Sequence, residues 1–146
     1  MKCVNKFNMN FPSKSSNEAF ARNAVSAFAL QLDPTIEEIN NIKTVVSEAV
    51  TNSIVHGYAD TIGTVYITAE IREKSIMVIK IRDKGCGIED VEKAMEPLFT
   101  TQGGERAGLG FAVMEAFSDG IKVRSKLGVG TTVTLTVKIG RKNGRI

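Results

Sequence analysis

Residues 35–57 read TIEEINNIKTVVSEAVTNSIVHG. Ile39, Ile42, Val45, Val46, Ala49, Val50 and Ile54 recur three and four apart, the spacing of one helical face, and Glu37 and Glu38 lie where negative charge favours a helix start. The pattern predicts one long helix from Thr35 to His56-Gly57. Glu48 and Asn52 are four apart, so that helix carries a carboxylate and an amide side by side at the edge of its apolar stripe.

Working outward, Val65–Ile71 and Ile76–Arg82 alternate β-branched residues about the turn 73–75, which predicts an antiparallel hairpin. Upstream, Val4, Phe7, Met9 and Phe11 suggest a strand closed by Pro12. Ser15 or Ser16 then fits the N-cap of a helix running to about Gln31, with Asp33-Pro34 ending it or opening the next. Downstream, residues 83–107 are rich in turn chemistry, with a short helix expected within 89–96. A helix from Gly108 to Phe117 and strands over 121–125 and 132–139 complete the chain, and the basic end at 140–146 is expected to fray.

With 146 residues and 42 % hydrophobic positions, the chain is expected to form a single domain spanning 1–146. Nineteen basic against sixteen acidic side chains leave a net charge of +3, too mild to motivate direct nucleic-acid binding. Cys3 and Cys86 have no partner at metal-ligand spacing, which fits a reducing compartment without disulfides or structural zinc. No stretch has the length and apolarity of a membrane span or a signal peptide, so a soluble cytoplasmic protein is expected.

Four features carry chemistry. Glu48 and Asn52 could serve as a base and a Mg²⁺ ligand, or as a solvated helical pair. Asp83-x-Gly85-x-Gly87 follows a strand, where the carboxylate suits the exocyclic amine of adenine and the glycines allow close backbone approach; a plain Asp-Gly turn is the alternative. Gly103-Gly104 and Gly108-Leu109-Gly110 flank the expected helix start near Leu109, a place favourable to phosphate or simply a flexible loop. Gly128-Val-Gly130-Thr131 opens the last strand, and its threonine hydroxyl could complete a base pocket or belong to an ordinary hairpin. There is no Gly-x-x-x-x-Gly-Lys-Ser/Thr and no Gly-x-Gly-x-x-Gly after a strand, so P-loop and dinucleotide folds are disfavoured.

Taken in order, these features resemble the N, G1, G2 and last boxes of the GHKL ATP-binding superfamily. Ala19-Phe-Ala-Arg22, Leu32-Asp-Pro34, Ile42 through Asn52, His56-Gly57-Tyr58, Pro97-Leu-Phe-Thr100-Thr101 and Glu105-Arg106 through Phe111 are more closely similar to its anti-sigma factor serine kinases, the sporulation sigma-F group in particular. The resemblance runs from about Phe11 to Ile139. It implies a two-layer α/β sandwich of helices on a mixed, mainly antiparallel sheet, the Bergerat or histidine-kinase-like ATPase fold. It implies ATP or ADP with Mg²⁺ as ligands: Asp83 on the adenine amine, Asn52 on Mg²⁺, Glu48 taking the proton of a substrate serine, and Arg106 near the terminal phosphate. Gly85, Gly87, Thr100, Thr101, Gly108, Leu109, Gly110 and Thr131 would line the nucleotide site. It further implies a homodimer that sequesters a sigma factor of the sigma-F type, with Arg22 at the partner surface, and phosphorylates a STAS-domain anti-anti-sigma protein. His56 is expected to cap or pack, and Cys86 to be incidental.

Overall fold

The structure is a computed structural model that describes residues 2–96 and 105–140; the side chains of 105–108 are outside that description. Five strands form one sheet: β1 (Cys3–Pro12), β2 (Thr64–Arg72), β3 (Ile76–Asp83), β4 (Gly120–Lys126) and β5 (Gly130–Lys138). Their spatial order is β1-β2-β3-β5-β4, and every neighbouring pair is antiparallel. The expected mixed sheet is thereby corrected. β4 does run parallel to β3, but β5 lies between them and pairs with both, so no parallel ladder forms.

Three helices, α1 (Asn17–Ala29), α2 (Ile36–Asn52) and α4 (Glu105–Ala116), form the second layer, with a single turn α3 (Val91–Ala94) before the undescribed segment. α2 packs against both α1 and α4. Its stripe buries Ile42, Val45, Val46, Ala49 and Val50 against a sheet face that presents Ile67, Ile79, Ile81 and Leu135. Burying a Val or Ile side chain contributes roughly 1.5–3 kcal/mol, against about 1 kcal/mol for a helix cap. Packing therefore holds α2 despite its helix-averse β-branched residues, and the cap fixes where it begins. That cap is a reciprocal box: the Glu38 N–H donates to Thr35 Oγ1 at 3.0 Å, and the Thr35 N–H donates to Glu38 Oε1 at 2.9 Å.

Other boundaries differ from expectation for identifiable reasons. β1 includes Pro12, which is tolerated because β1 is an edge strand. Ser16 occupies the N-cap position of α1 with helical backbone angles and no side-chain cap; backbone turns from Asn17 N–H to the Lys14 carbonyl and from Glu18 N–H to the Ser15 carbonyl meet the need instead. α1 stops at Ala29, and a short 3₁₀ turn, Leu30–Leu32, carries the chain to Asp33 in the left-handed region. α4 starts at Glu105, ahead of the start expected near Leu109. The basic end expected to fray lies outside the described residues beyond Gly140, whose N–H donates to Glu38 Oε2 at 2.9 Å.

Candidate nucleotide site

α2 does not stop cleanly at Asn52. It widens into a single π turn, Ser53–Gly57, where the backbone winds once more before leaving the sheet face. This turn delivers Ser53 to the end of β3. Its buried hydroxyl donates to Asp83 Oδ2 at 2.9 Å, while the Gly85 N–H donates to Oδ1 at 2.9 Å. Asp83 stands opposite Thr131 in the β3–β5 register, and the Thr131 N–H also donates to the carboxylate. Burial pushes the Asp83 carboxyl above its ordinary value, and the donors from Gly85, Ser53 and Thr131 pull the other way without cancelling it. Only 5 % of Asp83 is exposed, so a costly, well-oriented acceptor is held at a strand end.

The loop after β3 is zipped onto the π turn. The Cys86 N–H donates to the Gly57 carbonyl at 2.9 Å and its thiol to the His56 carbonyl at 3.1 Å. A Cβ on Gly85 would fall 2.1 Å from the Gly57 carbonyl oxygen, closer than any real contact. The missing Cβ of Gly85 is thus required by this chain's own backbone, as is that of Gly87 by the Lys126 carbonyl, a constraint the sequence reading did not foresee. Gly130 is equally obligatory: at φ 143° its Cβ would meet the Asp83 carbonyl oxygen at 2.2 Å.

Tyr58 fastens the same strand end from the other side. Its hydroxyl donates to the Thr64 carbonyl at 2.7 Å and accepts from the Lys84 N–H at 2.6 Å. Tyr58→Phe removes both bonds at a buried position, and an expected loss of about 1–3 kcal/mol follows. Urea unfolding of the variant measures it; a midpoint unchanged from the parent would mean that water replaces the hydroxyl at no cost.

At the other end of the site, α4 approaches α2 through Gly110. A Cβ there would lie 3.2 Å from both amide atoms of Asn52 and from Glu48 Oε1. The two α2 side chains and this glycine thus form one contact. The buried amide end assigned as Asn52 Nδ2 has no hydrogen-bond partner among the described residues. Nitrogen and oxygen of a carboxamide are interchangeable by rotation, so Asn52 can turn an unengaged oxygen toward a hard cation. No group of three or more His, Cys, Asp or Glu capable of holding a metal occurs among the described residues. A Mg²⁺ ion held through one protein oxygen, phosphate oxygens and water suits that donor set.

Between these ends lies a narrow cavity of about 50 Å³ lined by Asn52, Asp83, Gly87, Ile88, Phe111 and Thr131. Larger surface troughs, about 440 Å³ beside Glu38 and Phe117 and about 630 Å³ over Lys80 and Thr134, show no comparable buried acceptor. Asn52, Asp83, Gly87 and Thr131 line the small cavity, while Glu48 and Gly110 meet Asn52 beside it and Gly85 reaches it only through its bond to Asp83. Thr131 contributes its N–H to Asp83, while its hydroxyl is already bonded to Ser125 Oγ at 2.7 Å. Gly108 and Leu109 fall within α4 rather than ahead of it, and Leu109 is exposed. Arg106 lies on α4 with its side chain outside the described part, and Thr100 and Thr101 lie outside the described residues altogether. Arg22 stands apart, on α1, bonded to Glu18 at 2.6 Å. Burial pushes the Glu18 carboxyl up, but hydrogen bonds from Arg22 and Ser47 and the charge of Arg22 outweigh it and hold it below its ordinary value.

Sequence reasoning did not find Ser53, Tyr58, Ile88, Phe111 or Ser125 as parts of the site. The His56-Gly57-Tyr58 triplet directly after the long helix is the one signal that could have pointed to the π turn and its tyrosine.

The histidine kinase-like ATPase domain family matches residues 11–137. An anti-sigma F factor from Thermoanaerobacter sp. (strain X514) is 57 % identical over 141 residues, covering 96 % of this chain and 98 % of that one. The chain belongs to the anti-sigma F factor family of histidine kinase-like ATPase domains. Anti-sigma F factors from Caldanaerobacter subterraneus subsp. tengcongensis, 56 % identical over 97 % of this chain and 99 % of theirs, and from Clostridium beijerinckii, 57 % identical over 92 % and 94 %, agree. The fold of the family recurs in the crystal structure of the RsbU and RsbW domains of Rv1364c from Mycobacterium tuberculosis, with a TM-score of 0.70 at 18 % identity over 98 % of this chain and 35 % of that chain. It recurs also in the Erythrobacter litoralis EL346 blue-light activated histidine kinase, with a TM-score of 0.56 at 23 % identity over 73 % of this chain and 32 % of that one. Among the described residues no helix is long and apolar enough to cross a membrane.

Proposed function

We propose that this chain is an anti-sigma factor and an ATP-dependent serine protein kinase. It sequesters a sigma factor of the sigma-F type and phosphorylates a serine of a STAS-domain anti-anti-sigma partner, acting as a homodimer in the cytoplasm. The observation that carries the reading is one small cavity lined by the triply held Asp83 and by Asn52, whose amide in turn meets Glu48 and Gly110. The names of the anti-sigma F factor relatives support the choice of sigma partner.

In this reading Asp83 accepts a hydrogen bond from the adenine amine and so orients the nucleotide toward α2. Asn52 turns its oxygen to Mg²⁺, which when bound neutralises charge on the phosphates. Glu48 accepts the proton of the serine hydroxyl as its oxygen bonds to the γ-phosphorus, the bond to the leaving ADP oxygen breaks, and phosphoserine forms. Arg106, through the family resemblance, faces the terminal phosphate. Thr100, Thr101, Gly108 and Leu109 complete the phosphate side, and ADP occupies the same site after transfer.

The test incubates the protein with Mg²⁺, γ-labelled ATP and a STAS protein from the same cell. Acid-stable label on a serine of the STAS protein supports the kinase reading. ATP binding by calorimetry without transfer would instead favour a nucleotide-gated sigma-binding module.

Arg22 is proposed as a partner contact. Its i,i+4 pair with Glu18 is worth only about 0.3–0.5 kcal/mol, whereas a buried interfacial arginine commonly carries 2 kcal/mol or more. Arg22→Ala is therefore expected to leave folding and ATP affinity intact while weakening partner binding by about tenfold or more. Equal partner affinity in a pull-down titration removes Arg22 from the interface.

A further inference from the structure

The sheet face turned away from the helices carries side chains at alternate positions of β3, β5 and β4. Arg82 stands opposite Thr132, and Thr132 opposite Arg124; one step along, Lys80 stands opposite Thr134, and Thr134 opposite Lys122. With strands about 4.8 Å apart and alternate residues about 6.6 Å apart, the backbone positions of four basic residues mark the corners of a rectangle of roughly 10 by 7 Å, with two threonines along its midline and the Arg82 guanidinium leaning outward over Tyr66. All four cations are exposed, and none takes part in an ion pair among the described residues. Glu70, the acid among the strand positions of this face, is already bonded to Arg72 at 3.0 Å. The chain as a whole nearly balances nineteen basic with sixteen acidic groups, so this cluster, which no carboxylate of the described residues answers, is a local concentration of charge.

We propose that this face docks an extended acidic segment of a partner protein, with carboxylates at every second position. In such a segment alternate side chains repeat every 6.6 Å or so, the spacing from Lys80 to Arg82 and from Lys122 to Arg124. Thr132 and Thr134 offer hydroxyl donors between the two rows. A nucleic-acid strand is the poorer fit, because single strands need bare aromatic platforms. Tyr66, the aromatic of this face, has the Arg82 guanidinium 4.8 Å and the Lys84 ammonium 5.2 Å from its ring centroid. The surface lies on the other side of the sheet from Asp83, so it stands or falls separately from the nucleotide site.

The test titrates isotope-labelled full chain with a synthetic peptide alternating Glu and Thr, followed by amide NMR. A peptide of equal charge with its acids three apart and a single-stranded oligonucleotide serve as comparators. Shifts confined to Lys80, Arg82, Lys122, Arg124, Thr132 and Thr134, with the alternating peptide bound more tightly than either comparator, are expected. Lys80→Glu combined with Lys122→Glu should weaken that binding by about tenfold or more, steeply salt-dependent in the parent, with ATP affinity unchanged. Should circular dichroism show that this variant does not fold, the Lys80→Gln, Lys122→Gln pair replaces it. Shifts elsewhere, equal affinity for both peptides, an unaffected double variant or tighter binding of the oligonucleotide to the same residues would each overturn the proposal.

Discussion

Glu48→Gln is expected to bind ATP as the parent does and to transfer phosphate about 10²–10⁴-fold more slowly. The amide keeps the shape of the side chain against Gly110, where a Cβ position lies 3.2 Å from Glu48 Oε1, so the α2–α4 contact survives. What it loses is the ability to take a proton. Single-turnover transfer from labelled ATP and a calorimetric ATP titration separate the two effects. An unchanged transfer rate would exclude Glu48 as the proton acceptor, and a parallel loss of ATP affinity would place it in nucleotide binding instead.

Asp83→Asn should separate binding from stability in the opposite sense. In the proposed function Asp83 accepts from the adenine amine, and losing that acceptor is expected to weaken ATP binding by about 1–3 kcal/mol, roughly 5- to 150-fold. Folding stability should hold or rise. Burial raises this carboxyl above its ordinary value of 3.8, so between that value and the raised one the folded chain binds more protons than the unfolded chain. The stability it contributes is complete below 3.8 and is lost as pH rises through the folded value, which leaves the ionised group a net cost at neutral pH. Asparagine removes the charge. Its oxygen accepts from the Gly85 N–H, and the Ser53 hydroxyl can turn to accept from its amide. The same raised value means that ATP affinity in the parent falls, on acidification, at a higher pH than an exposed aspartate would allow. Urea unfolding at neutral pH and ATP titration across pH check both halves. A loss of stability beyond about 2 kcal/mol in the asparagine variant would mean that the three donors outweigh burial.

The long helix, the 64–83 hairpin and the two closing strands were legible because their apolar residues repeat at periods that only one element satisfies. Asp83, Glu48 and Asn52 were legible as candidates for a similar reason: each follows a recognisable boundary or shares a helical face. The rest depends on register and on distant backbone. Nothing local distinguishes Ser53 from any polar residue at a helix end until the π turn sets it against Asp83. Tyr58 looks like an ordinary aromatic until its hydroxyl meets a strand residue six positions on and a loop residue twenty-six away. The glycines illustrate the same limit: their need for a missing Cβ was readable, whereas the Gly57 and Lys126 carbonyls that impose it were not. The all-antiparallel sheet escaped for topological reasons, since no sequence pattern states that β5 inserts between β3 and β4.

Glu48, Asn52 and Ser53 occupy one uninterrupted winding of backbone, the last of them clamped to Asp83. At about 1.5 Å of rise per residue, Glu48 lies some 7.5 Å along the axis from Ser53. Under the proposed function the helix is therefore a ruler: with a base seated at Asp83, the distance to Glu48 as proton acceptor is set by counting residues rather than by any movement of domains. One residue inserted between positions 48 and 53 would lengthen that ruler by about 1.5 Å and swing the acid about 100° around it. A nucleotide could then still be gripped by its base while its reactive end met the wrong side of the helix.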